Sequence, residues 1–226
     1  MIEPESKSLI DLLLAGGPLV WPIVIASVVM VLCVVERFFA LRRKNVVPRR
    51  FVHCVITQLE EGAADRDDAL DLCEEEPSHI ADVFAAGLRR WGRSAVEVEQ
   101  AVLDEGERTA ASLRRNLRVI SGVANICPLL GLLGTVWGMR SAFDAIASAS
   151  AMGKPELLAG GISQALMSTA SGLAVAIPAM IFYLHYVGRV DSLVAEIDRH
   201  GQRLVELISA EALQERRGKK ATKRAA

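Results

Sequence analysis

The sequence is poor in the residues that build most small chemical sites. It holds four cysteines, Cys33, Cys54, Cys73 and Cys127, and no two of them form a CxxC pair. That spacing argues against a disulfide framework and against a thiolate zinc site. The four histidines, His53, His79, His185 and His200, are scattered, so no metal and no cofactor is expected. Aromatic residues make up only 5% of the chain, and the formal net charge of −1 leaves no bulk attraction for nucleic acid. The most telling absence is that of charge over long stretches. No Asp, Glu, Lys or Arg occurs from Leu12 to Val35, from Val119 to Met139 or from Leu157 to Gly188.

A helix rises ~1.5 Å per residue and a hydrocarbon core is ~30 Å thick, so each uncharged run is long enough to span. The third run exceeds one crossing and is expected to tilt or to extend beyond the bilayer. The first run is read as a retained helix. Glu3, Glu5, Lys7 and Asp11 flank it instead of a basic region, it is too long for a signal h-region, and Arg42, Arg43, Lys44, Arg49 and Arg50 follow it. Basic residues also cluster at Arg108, Arg114, Arg115 and Arg118, and again from Arg189 onward, while Arg140 and Lys154 stand alone between the second and third runs. The excess of Lys and Arg marks the cytoplasmic side. The expected order is an outer segment 1–18, spans over 19–41, 119–143 and 158–188, a cytoplasmic segment 42–118, an outer loop 144–157, a cytoplasmic extension 189–213 and a basic tail 214–226.

The fold class that follows is all-α. Within 42–118, Phe51, Val55, Leu59, Val83, Leu88 and Trp91 recur near helical spacing, with Glu74–Glu76 and Pro77 as breakers. From Ser94 an amphipathic pattern runs without a breaker into the second span, so one helix over about 94–147 is expected, with Ser94 and Glu97 as a capping box. Past Gly188, Val190, Leu193, Val194, Ile197, Leu204, Val205 and Ile208 keep an apolar stripe. Two helices extended in this way suggest a cytoplasmic helical bundle.

The spans carry small and hydroxylated residues where lipid-facing helices carry Leu and Val. Ala165, Thr169, Gly172, Ala176 and Ala179 share a face of the third span. Gly131, Thr135 and Gly138 share one on the second, with Gly134 beside them. Such faces let helix backbones approach closely, which points to an oligomeric membrane assembly. For Thr135 and Thr169 two readings stand: each hydroxyl bonds a carbonyl of its own helix, or several copies together line a narrow polar path. Gln164, Ser168 and Ser171 form an adjacent polar stripe, Gln164 and Ser168 being expected along the proton path with the two threonines, and Pro128 and Pro178 are candidate kinks. No carboxylate or amine lies at mid-span, so any proton path needs a titrating group from another chain. A serine enzyme pairing Ser168 or Ser171 with His185 would need to bridge ~21 Å along one helix even from Ser171, and no catalytic residue is assigned.

These residues carry a resemblance. Pro128-Leu-Leu-Gly-Leu-Leu-Gly-Thr-Val-Trp-Gly138, and Ile162 to Pro178 followed by Ala179 and Tyr183, closely resemble the two signature helices of the MotA/TolQ/ExbB proton channel family. ExbB and TolQ, with three spans, fit better than the four-span MotA. The resemblance implies a ring-shaped, pentameric stator in the bacterial inner membrane, with a periplasmic N-terminus and a cytoplasmic C-terminus. It implies an ExbD- or TolR-like single-span partner that supplies a pore aspartate, with a TonB- or TolA-like protein as the further component. Proton flow through the complex would energise transport or mechanical work at the envelope. Thr135 and Thr169 match the family's pore threonines. Gln164 departs from the Glu usual in ExbB and TolQ, keeping the hydrogen bonding without a titrating proton. Leu184 stands where Asn often follows the tyrosine, and Cys127 where Ala is common. The alternative is a non-conducting oligomeric scaffold for partner helices.

Overall fold

The computed structural model describes residues 17–147 and 155–214, and among these it forms eight helices and no strand. The helices are α1 (Val20–Ala40), α2 (Arg43–Val46), α3 (Arg49–Glu61), α4 (Arg66–Glu75), α5 (His79–Leu88), α6 (Ala95–Arg115), α7 (Leu117–Ala147) and α8 (Pro155–Ile208). Expectations for 1–16, for 148–154 and for the tail beyond Gln214 fall outside the described residues. Segments within Val20–Ala40, Ala95–Asp144 and Ala159–Ile208 are long and apolar enough to cross a bilayer. The chain divides into two units, one drawn from 17–36 and 116–185 and the other from 37–115 and 186–214.

In the first unit, α1 begins after Gly17, whose φ of 77° is a left-handed turn that side chains rarely adopt. The Val20 amide closes this turn on the Gly17 carbonyl at 3.2 Å. Pro22 falls in the first turn, where its missing N–H has no helical partner to lose. Val20, Ile23 and Met30 are buried, while Trp21, Ile25 and Leu32 point outward. Helices α7 and α8 continue through Pro128 and Pro178.

The single helix expected over 94–147 is two helices, interrupted at Asn116. The break is a single residue, where the Val119 amide turns back on the Asn116 carbonyl at 3.3 Å. The Asn116 side chain donates to Glu36 Oε2 at 3.0 Å. In the other unit, the Arg37 guanidinium donates to the Leu113 carbonyl at 2.8 Å and satisfies an acceptor in the last turn of α6. At the start of α6 the Glu97 amide donates to Ser94 Oγ at 3.4 Å, and Glu211 takes the Ala95 amide at 3.0 Å. A carboxylate there suits the positive end of the helix.

The second unit has a conventional apolar core. Phe51, Val52, Val55 and Leu59 form the buried face of α3, which ends at Gly62 with φ 69°. Asp65 and Asp68 make a capping box for α4, and Pro77 separates α4 from α5. Phe84 is fully buried and its ring lies 6.1 Å from that of Phe51. Val190, Leu193, Ile197, Leu204 and Ile208 of α8 are buried as well. Gly87 and Gly201 allow close packing around Val102: a Cβ on Gly201 would lie 2.6 Å from Val102 Cγ1, and one on Gly87 2.9 Å from Cγ2. Burial and the nearby Asp82 and Glu74 push the Cys73 thiol up to about 12.

Candidate functional site

The candidate site is the pairing of α7 with α8 inside the first unit. Going up α7 the contacts go down α8: Cys127 meets Gly172, Gly131 meets Thr169, Gly138 meets Ala165, and Ala142 meets Gly161. The two helices are therefore antiparallel, and their backbones nearly touch. A Cβ on Gly172 would lie 2.5 Å from the Cys127 carbonyl oxygen, and one on Gly138 3.0 Å from both the Ala165 nitrogen and the Gly161 oxygen. A Cβ on Gly131 would lie 3.1 Å from the Ser168 oxygen, and one on Gly134 would collide with Ser168 Oγ. Ala165, Ala176 and Ala179 are buried along the same seam. With hydrocarbon outside there is no hydrophobic drive between helices, so this contact rests on close packing.

Each polar residue of the pair has a distinct place. Ser168 is 0% exposed, and its Oγ has no hydrogen-bond partner among the described residues. It is enclosed within one chain's helix pair under Gly134, where the sequence reading had it on a polar stripe facing a path. Ser171 Oγ donates to its own helix at Met167 O, 2.8 Å. Thr135 Oγ1 donates to Leu132 O at 2.6 Å, three residues back. Thr169 Oγ1 instead crosses to α7 and donates to Gly131 O at 3.1 Å. Both threonine oxygens keep acceptor lone pairs, and both residues are only partly buried.

The two threonines sit on one edge of the pair. At ~100° per residue, Thr135 lies ~40° past Gly131 round α7, and Thr169 lies ~60° past Gly172 round α8. Because the helices run in opposite directions, the same sense of rotation brings both hydroxyls to the same edge. Gln164 lies ~80° from Gly172 in the other sense, on the opposite edge. There its amide packs so closely on Gly17 that a Cβ at Gly17 would overlap Nε2. Sequence spacing grouped Gln164 with Ser168, whereas in the helix pair Gln164 holds the chain entering α1.

One polar residue escaped the sequence reading. Asn125 is exposed, and it falls on the Thr135 side of α7. The signal available was a lone carboxamide inside an uncharged run. Among the described residues no group of His, Cys, Asp and Glu is placed to hold a metal ion. The uncharged stretches 20–35, 119–139 and 159–188 contain no carboxylate. What this pair offers chemically is hydroxyl donors and acceptors at depth, without a group that changes charge.

Residues 75–199 match the MotA/TolQ/ExbB proton channel family. The Tol-Pal system protein TolQ of Haemophilus influenzae is 30% identical over 150 residues, covering 61% of this chain and 62% of that protein. A protein described as an ExbB homolog, from Methanothermobacter thermautotrophicus, is 26% identical over 192 residues, 84% of this chain and 67% of its own length. The biopolymer transport protein ExbB of Pseudomonas putida is 30% identical over 116 residues, 50% of this chain and 35% of that protein. The chain thus spans about three-fifths of the TolQ relative and a smaller part of the longer ExbB.

Proposed function

The chain belongs to the MotA/TolQ/ExbB proton channel family as an ExbB/TolQ-like member, and on that premise we propose that it is the stator subunit of a proton-driven motor. In this reading five copies form a ring in the inner membrane around helices of an ExbD- or TolR-like partner. The N-terminus is periplasmic, and the segments after α1 and after the third span are cytoplasmic, where Lys and Arg are concentrated. A TonB- or TolA-like protein receives the output. The subunit has no active site of its own.

The observation that carries the proposal is the shared edge of Thr135 and Thr169 on a close-packed helix pair whose stretches 119–139 and 159–188 hold no carboxylate. The threonines offer oxygen partners to water and to a passing proton. The partner's aspartate changes charge. Each elementary charge that crosses 100 mV releases ~2.3 kcal/mol, so a few protons match the barrier of moving one modest interface past another. Gln164, on the opposite edge, serves packing and takes no proton. Ser168 serves the seam.

The test is Thr169→Val, which keeps the shape and removes the hydroxyl. Proton uptake into vesicles holding this chain and its partner should fall to background while the complex stays intact. Wild-type uptake would remove the threonine path. If wild-type complexes of correct copy number take up no protons, the chain is a non-conducting scaffold.

A further inference from the structure

Asn125 is a carboxamide on the outside of a helix that crosses the membrane, and nothing among the described residues covers it. It lies seven residues past Arg118, the charge that opens the second uncharged run, and so ~10 Å into that run. Its Nδ2 donates to Ser121 O at 2.8 Å and approaches Ser121 Oγ at 3.4 Å. Its Oδ1 has no partner among the described residues. An amide acceptor left bare in hydrocarbon costs several kcal/mol, so water or protein faces it in the working assembly.

The direction in which it points selects water. Ser121 lies ~80° and Asn125 ~120° past Gly131 round α7, in the same sense as Thr135. By the antiparallel geometry this is also the edge that carries Thr169. The opposing part of α8 on that edge is apolar, with Leu173, Ala176 and Met180. Between Thr169 and Tyr183, the next polar group of α8 on that edge, α7 alone supplies polar groups there. Thr169 faces Gly131 near mid-span, Thr135 lies toward Arg140, and Asn125 with Ser121 lies toward Arg118.

We propose that Ser121 and Asn125 line the proton path between Thr169 and the Arg118 end, keeping it wetted over the stretch before Tyr183 where α8 offers no polar group. This rests on the threonine path proposed above and extends it by a pair of residues outside both signature stretches. A narrow passage lined only by Leu, Ala and Met would dewet and close. A carboxamide with a free acceptor holds water there, and the Ser121 bond fixes its orientation.

The experiment measures proton uptake by vesicles that contain this chain with its single-span partner, for wild type, Asn125→Leu, Asn125→Ser and Thr169→Val. Native mass spectrometry of the same preparations gives the copy number. Asn125→Leu should lower uptake about tenfold with copy number unchanged, and Asn125→Ser should stay within about threefold of wild type. Wild-type uptake by Asn125→Leu, while Thr169→Val is inactive, overturns this inference and leaves the threonine path standing. Loss of subunits from Asn125→Leu complexes also overturns it, because Asn125 is then a contact between chains. Wild-type uptake by Thr169→Val overturns the path on which both readings rest.

Discussion

The two units of this chain are built by opposite rules. In the unit of 37–115 and 186–214, Phe84, Ile80, Val83 and Leu204 are fully buried, charges such as Arg203 and Glu60 pair on the outside, and Arg37 is a buried exception held by the Leu113 carbonyl. In the unit of 17–36 and 116–185, the buried seam is Gly, Ala and Ser, while Leu129 and Leu166 are 63% and 66% exposed. Water drives large apolar side chains inward in the first case. In the second, hydrocarbon removes that drive and leaves backbone proximity as the attraction. Adding bulk to the seam and removing bulk from the core are therefore matched perturbations.

The largest effect should come from the seam. In Gly172→Leu the new side chain meets the Cys127 backbone carbonyl, which has no rotamer in which to give way. Intact complex should be absent from size-exclusion profiles, whereas Gly122→Leu, with open space around it, should assemble normally. Next is Phe84→Ala, which empties a buried ring site and should cost about 3–5 kcal/mol of the second unit's stability. Thermal unfolding should register that loss, while Leu129→Ala on the outer face of the span leaves the transition in place. Smaller again is Gly201→Ala, costing about 1–3 kcal/mol through overpacking against Val102. Because the neighbour is a side chain, Val102→Ala in the same protein should restore most of that loss.

The smallest effect is a pH dependence. Burial holds the half-buried His200 below its ordinary 6.5, with Arg199 and Arg43 acting in the same sense and Glu196, 3.9 Å away, opposing them. Arg43 also bonds Glu196 directly, so that carboxylate is shared. The folded state therefore binds the proton less readily than the unfolded chain. Stability from this site is complete above pH 6.5 and declines as pH falls below it. His200→Gln should flatten that part of a melting-temperature profile, and an unchanged slope would dismiss the site as its source.

Much of this was legible because hydrocarbon imposes its pattern on the chain. The three uncharged runs gave the three candidate spans, and the Gly and Ala spacing gave the residues that meet in the seam. The turn at Asn116 was not legible, and the partner of its side chain, Glu36, lies far away in sequence. Spacing along α8 placed Ser168 and Gln164 together, but the partner helix separates them. Ser168 lies under Gly134, and Gln164 lies against Gly17 on the other edge. Asn125 was passed over because an amide draws less attention than a charge, although in a span it needs a partner just as a charge does.

The central claim is that the titrating acid belongs to another polypeptide. The most direct measurement compares proton uptake by vesicles holding this chain alone, this chain with its single-span partner, and this chain with a partner whose membrane aspartate is Asn. Uptake should occur only in the second preparation. Proton uptake by this chain alone, or undiminished uptake with the Asn-substituted partner, would contradict the account.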